Sequence, residues 1–206
     1  MEQGKIIAVV GGPRSGKSFL VKKLAEHFGA VSLFEGEEGT FPPRILEDIE
    51  KNIRPLERIL WFRNHFVGQY LKALEAKAQG KMVVLDVFWF SVTLHLDALL
   101  KGFELDVAKT LAEQDARTLS WPDLIIFLKN SEEGIRTFIA AGGRSFDTSE
   151  EYLKEQALPV HRLHEQYYSN PPGGMNLLTV ERDSLDFDKK EDFDALVQKI
   201  KEKLVL

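Results

Sequence analysis

The chain contains no cysteine, which excludes disulfides, thiol nucleophiles and cysteine-ligated zinc or iron–sulfur centres. It also lacks any run of the roughly 18–20 apolar residues that a bilayer-spanning helix requires. The first apolar run, Ile6 to Val10, is too short for a signal-peptide core and no small-residue cleavage site follows it. Positive charge is in deficit. Lys and Arg number 27 against 32 Asp and Glu, a formal net charge of −5. Without a long Lys/Arg cluster there is no basic stripe to grip a nucleic-acid polymer. Internal repeats, low-complexity segments and linker-like stretches are missing as well. What remains is 206 residues, 44% of them apolar and 29% charged, a globular composition whose length suits one domain over residues 1–206. A protein without membrane attachment, in the cytoplasm, is expected.

Short apolar runs punctuate the sequence at Ile6–Val10, Met82–Leu85, Leu124–Leu128 and Leu177–Val180, with a weaker one at Val31–Phe34. They are rich in Val, Ile, Leu and Phe without polar alternation, as in strands buried on both faces of a parallel sheet. Helical periodicity fills the intervals. Phe62, Phe66, Tyr70 and Leu74 recur every four residues with Val67 and Leu71 beside them, and Phe193, Leu196, Val197, Ile200 and Leu204 form a second stripe. Both stripes read as faces turned to the core. Ser131-Glu132-Glu133 opens one helix, and Thr148-Ser149-Glu150-Glu151 has capping-box spacing for another, which Pro159 should kink or break. Asn170 to Gly174 is a turn before the last strand. Strands alternating with helices predict a three-layer α/β fold.

The sharpest local signal is Gly11-Gly12-Pro13-Arg14-Ser15-Gly16-Lys17-Ser18, which fits G-x-x-x-x-G-K-[ST] between an apolar strand and a helical pattern. Gly11 and Gly16 let the backbone curl until successive N–H groups converge on phosphates. The following helix points its positive end at the same anion. Lys17 reaches the β- and γ-phosphates, and the Ser18 hydroxyl is a ligand for Mg²⁺. ATP with Mg²⁺ is therefore the expected nucleotide, held by residues 11 to 18.

Strand Met82–Leu85 ends in Asp86, which has the form of a Walker B carboxylate and a second Mg²⁺ ligand. Strand Val31–Phe34 ends in Glu35. Ligands of parallel sheets sit beyond the carboxyl ends of the strands, so Glu35 is placed to accept a proton from an attacking hydroxyl, with Glu37 the next candidate. The opposing reading makes Glu35 to Glu38 a solvated acidic loop. Trp89 and Phe90, directly after Asp86, are either core or a stacking wall for a nucleobase. His95 reads as a surface or packed histidine, and His161 and His164 as a solvated helix face.

These motifs, in this order, resemble the deoxynucleoside kinases, within the wider group that includes thymidylate kinase. The resemblance runs from about residue 5 to residue 205 through the phosphate loop, Phe34-Glu35, the helix around Trp61–Leu74, Asp86, Pro122–Leu128, Gly143–Asp147 with Glu151-Tyr152-Leu153, and Leu177–Val180 before Leu185-Asp186-Phe187. It implies a P-loop kinase fold with a five-stranded parallel sheet of order 2-3-1-4-5. It also implies transfer of the γ-phosphoryl of ATP to the 5′-hydroxyl of a deoxynucleoside. By the same resemblance Glu35 is the general base, Lys17 and Asp86 assist, and Arg144 closes over the phosphates from a lid at about 138–150. The position of a base-reading glutamine falls on Arg63 or Asn64, and a homodimer through the long helices is expected; Trp89, in its stacking-wall reading, flanks the acceptor.

Several positions depart from the family pattern. Asp86-Val87-Phe88 stands where Asp-Arg-Ser is usual, Gly36 follows Glu35 in place of proline, and the lid has Phe138, Ala140, Ala141 and Gly142 where arginines are common. Arg14, Arg117 and Arg136 are alternative sources of charge. An arginine cluster at Arg54, Arg58 and Arg63 would suit a nucleoside monophosphate or another metabolite as acceptor. A nucleotide-binding protein without catalysis is the third reading.

Overall fold

The computed structural model describes residues 4–36, 41–140 and 150–205. Five strands form one parallel sheet in the order β2-β3-β1-β4-β5, the expected 2-3-1-4-5: β1 (Ile6–Gly11), β2 (Val31–Leu33), β3 (Val83–Leu85), β4 (Leu124–Lys129) and β5 (Leu177–Glu181). The register places Ile6 to Ala8 beside Val83 to Leu85, and Ile7 to Gly11 beside Leu124 to Leu128.

Helices cover both faces because alternate strand residues point opposite ways. Ile7, Val9, Ile126 and Leu128 pack against α1 (Lys17–Phe28) and α9 (Lys190–Leu204), with Leu20, Leu24, Leu196 and Ile200 in the same cluster. Ile6, Ala8, Val10, Ile125 and Phe127 face the other layer, where Tyr70 and Ala73 of α3 (Pro55–Ala78) meet Tyr168 of α8 (Leu158–Ser169). The remaining helices are α2 (Pro43–Glu50), α4 (Leu96–Leu99), α5 (Gly102–Thr118), α6 (Glu132–Ala140) and α7 (Glu150–Tyr152). None of the described helices is long and apolar enough to cross a membrane.

Local sequence explains the element ends. The Ser131 hydroxyl accepts the Gly134 N–H at 3.0 Å, so Ser131 caps α6 as its position suggests. Pro159 does not break its helix. A π-helical turn at Leu153–Ala157 joins α7 to α8, and Pro159 falls in the first turn of α8. The wider turn just before it gives the ring room, so the helix continues past the proline. The capping signal at Thr148-Ser149, most of the lid segment and Arg144 fall in residues 141–149, outside the described residues. In the α3 stripe Leu71 faces out, 46% exposed, whereas Phe66 and Tyr70 are buried.

Candidate active site

The loop between β1 and α1 turns as its glycines require. Gly16 has φ 91° and Arg14 φ 62°, both left-handed, and the Gly16 carbonyl accepts the Leu20 N–H at 3.1 Å. No acidic residue sits in the first turn of α1, so its positive end stays open to an anion. The Lys17 ammonium donates to the carbonyls of Gly11 and Gly12 at 3.2 and 3.0 Å, which keeps it over the mouth of the loop. Gly12 is close-packed from behind. A Cβ there would lie 3.0 Å from Nδ1 of His161, a buried imidazole under the loop.

Asp86, only 4% exposed, joins three elements. Its Oδ2 accepts the Ser18 hydroxyl at 2.6 Å, and its Oδ1 accepts the Glu35 N–H at 2.7 Å. The carboxylate thereby ties the first turn of α1 to the segment just beyond β2. Helix α3 braces the same corner: His65 Nε2 donates to the Glu35 carbonyl at 2.6 Å and Gln69 to the Phe34 carbonyl at 3.0 Å. Since a carbonyl only accepts, the His65 proton sits on Nε2. Gly36 then turns with φ 125°, a conformation closed to proline, whose ring fixes φ near −65°.

A cavity of about 230 Å³ opens beyond the carboxyl ends of β1, β2 and β3. Gly11, Pro13, Arg14, Lys17, Glu35 and Asp86 line one end. Phe41, Ile49, Ile59, Phe62, Phe66, Val87, Val92, Leu99 and Val160 make apolar walls. Polar groups converge from Arg58, Ser91, His95, Tyr152, Gln156 and His164. A mostly apolar cleft with a few directed polar groups is the usual form of a small-molecule site.

Three sequence expectations are corrected here. Arg63 does not face the cavity; its guanidinium forms a two-pronged pair with Asp115 of α5, with Nε donating at 2.8 Å. Asn64, the alternative, is on the exposed side of α3. Trp89 is core, 1% exposed, and its indole N–H donates to the Ser120 carbonyl at 3.1 Å. An ion pair claims Arg63 and the core claims Trp89. His161 and His164 are corrected in the opposite sense, since they are buried, and His164 lines the cavity together with the half-buried His95. The arginine cluster dissolves too: Arg54 pairs with the fully buried Asp48, and Arg63 with Asp115.

The Arg63 correction has a measurable consequence. Arg63→Met leaves Asp115 buried without its cation, a loss of about 3 kcal/mol in stability. Chemical denaturation should register that loss while the KM for an acceptor stays within about twofold. An acceptor KM that rose tenfold at unchanged stability would return Arg63 to the site.

Burial also sets the charge state of the cavity wall. Desolvation first, then the nearby Lys17, pushes His95 down to about 4. Desolvation first, then His95, pushes His164 down to about 3, although its Nδ1 donates to the Val160 carbonyl at 2.9 Å. Their rings meet edge to face at 5.8 Å, both neutral at pH 7. An unfolded histidine takes up a proton near pH 6.5, so the unfolded chain binds more protons below that pH. Stability is complete above about pH 6.5 and falls as the pH drops toward 4, by up to roughly 1.4 kcal/mol per pH unit for each ring. Urea midpoints at pH 7.5 and 5.0 would read this; equal midpoints would mean the rings are not held neutral.

Sequence reading missed Arg182, just past β5. Its guanidinium stacks on Phe138 and Phe187 at 5.0 and 4.5 Å, and its Nε lies 3.5 Å from where a Gly16 Cβ would be. The signal was available, since ligands gather at the carboxyl ends of such strands. Arg117, in contrast, is exposed beside Glu113, and Arg136 lies 3.5 Å from Glu150.

No family profile matches the chain. A deoxyadenosine kinase of Lactobacillus acidophilus is 24% identical over 192 residues, which span 88% of this chain and 87% of that protein. A deoxyadenosine kinase from M. mycoides, solved with the products dCMP and dCDP bound, superposes with a TM-score of 0.77 at 16% identity, covering 96% of this chain and 99% of that one. The thymidylate kinase of Candida albicans gives 0.72 at 18% identity, covering 97% and 92%. The chain thus has the P-loop fold of the deoxynucleoside and thymidylate kinases, and in sequence it is deoxynucleoside kinase-like along most of its length.

Proposed function

We propose that the protein is an ATP-dependent kinase that phosphorylates the 5′-hydroxyl of a nucleoside. The observation that carries this is the junction at Asp86, which fixes the phosphate-loop helix and Glu35 at one end of a single apolar cavity. Residues 11 to 18 hold the triphosphate. The acceptor lies between the apolar walls with its hydroxyl toward Glu35. The Glu35 carboxylate takes the hydroxyl proton as the oxygen bonds to the γ-phosphorus and the bond to the β,γ-bridging oxygen breaks, releasing ADP. Such a loose transfer depends on positioned positive charge. Lys17 supplies it over the loop, Arg182 beside Gly16, and Arg144 from the lid.

Ser18 and Asp86 present hard oxygen donors 2.6 Å apart, which fit Mg²⁺, an ion that takes one or two protein oxygens alongside phosphates and water. When bound there, Mg²⁺ offsets the negative charge of the phosphates. Among the described residues no cluster of three or more carboxylates or histidines suits a metal held by protein alone. The lack of cysteine fits the reducing cytoplasm. Exposed Leu71 on α3 and Phe103 on α5 offer apolar surface for pairing two copies.

Arg54 and Arg63 are claimed by Asp48 and Asp115, so of the three only Arg58 lines the cavity; one guanidinium in place of a cluster favours an uncharged nucleoside over a doubly charged monophosphate. The test is ADP release, with and without Mg²⁺, across deoxynucleosides and their monophosphates, with products identified by mass. Nucleoside 5′-monophosphates should appear from the nucleosides. Turnover of monophosphates alone would move the protein to the nucleotide kinases, and no turnover of either would leave a binding protein.

A further inference from the structure

Arg58 is a buried cation whose charge the described protein does not balance. The residue is 4% exposed and lines the cavity. Its one hydrogen bond among the described residues runs from Nη2 to Asn52 Oδ1 at 3.1 Å, and its buried Nε has no partner. The carboxylate that acts on it, Asp48, is already gripped by both prongs of Arg54. Burial lowers the affinity of Arg58 for its own proton, the mark of a desolvated cation. Holding such a group in the dark of a cavity is costly unless something answers it.

The backbone makes the placement deliberate. Asn52 and Arg54 adopt left-handed φ values of 48° and 46° in the turn between α2 and α3, conformations that non-glycine residues rarely adopt. That turn directs Arg54 onto Asp48 and Asn52 onto Arg58.

Its position in the cavity follows from helix geometry. His65 touches the Glu35 carbonyl, and Arg58 stands seven residues earlier on α3, about 10 Å along the axis at 1.5 Å per residue. Helical side chains lean toward the N-terminus, and the bond to Asn52 shows that this one does. The guanidinium therefore sits at the end of the cavity away from Glu35.

We infer that Arg58 reads the acceptor at the end opposite its reacting hydroxyl, selecting nucleosides whose base presents two adjacent hydrogen-bond acceptors. This rests on the nucleoside-kinase reading above. A guanidinium only donates, and with one N–H given to Asn52 a parallel pair remains free whichever Nη2 hydrogen is used. Guanine and hypoxanthine offer O6 beside N7, and cytosine offers O2 beside N3. Adenine sets its amino donor beside N1 and N7 and leaves N3 without a neighbouring acceptor, and thymine flanks its carbonyls with an N–H or a methyl group. The chain is therefore expected to favour deoxyguanosine, deoxyinosine or deoxycytidine over deoxyadenosine and thymidine.

The experiment compares kcat/KM for these five nucleosides in wild type, Arg58→Met and Arg58→Lys, with nucleoside binding measured by calorimetry in parallel. Wild type should prefer at least one of the first three over deoxyadenosine by roughly 10–100-fold. In both variants that ratio should collapse, through KM, at an unchanged KM for ATP. Lysine keeps the charge but lacks the fork, so it tests the proposal even if methionine prevents folding. Wild-type preference for deoxyadenosine, or an equal loss on all five in the variants, would overturn it. Arg58-dependent binding of deoxyguanosine or deoxycytidine without turnover would keep the inference and remove the kinase reading. Turnover indifferent to Arg58 would do the reverse, and absence of any nucleoside binding would remove both.

Discussion

Glu35→Gln lowers kcat by roughly 10²–10⁴-fold while leaving ATP affinity almost intact. The amide is nearly isosteric and keeps the backbone N–H that donates to Asp86, so the corner built by Asp86, His65 and Gln69 survives. Only the capacity to take the acceptor's proton is lost. The variant therefore separates the two readings of the acidic stretch after β2, because a solvated surface carboxylate would tolerate the change. Single-turnover phosphorylation with saturating ATP and nucleoside checks it. A rate within threefold of wild type would take Glu35 out of the chemistry and leave the proton to another group.

Lys17→Met produces a loss of similar size by a different route. The ammonium is held over the loop by two carbonyls 3.2 and 3.0 Å away, and it is already in position before phosphate arrives. Preorganised charge costs little reorganisation during the reaction, and one such donor contributes about 10²–10³-fold in turnover. Methionine preserves the length of the side chain and removes the charge, so the deficit should fall on kcat and on ATP binding together. A loss confined to the acceptor KM would contradict the placement of Lys17 at the phosphates.

Most of the framework was legible because burial on both faces leaves a strong mark. Ile6–Val10 and Leu124–Leu128 are continuous apolar runs, and each became the body of an interior strand. The loop at 11–18 was legible because phosphate binding demands particular backbone conformations, which only certain residues supply. Glu35 and Asp86 could be placed because each lies just past the carboxyl end of a strand. The acceptor end was not. Arg63 and Asn64 were placed by the resemblance and Trp89 by its position after Asp86, but a partner on a distant element decided where Arg63 and Trp89 went. Asp115 lies 52 residues from Arg63, and Ser120 lies 31 from Trp89. No local pattern encodes such pairs. The same holds for Arg58: it was grouped with Arg54 and Arg63 by sequence, and it is set apart only by the carboxylates that claim the other two. His161 and His164 were misjudged as a solvated face because the polar look of His161-Arg162-Leu163-His164 gives no sign of the loop and cavity they pack against.

The central claim is that main-chain amides of residues 11 to 18, with Lys17 above them, grip a nucleoside triphosphate. Calorimetric titration of the purified protein with ATP in the presence of Mg²⁺, alongside thermal melting, tests it most directly. Saturable heat at one site per chain, with a melting temperature that climbs as ATP is added, is the predicted result. No heat and an unmoved melting temperature at millimolar ATP would contradict it.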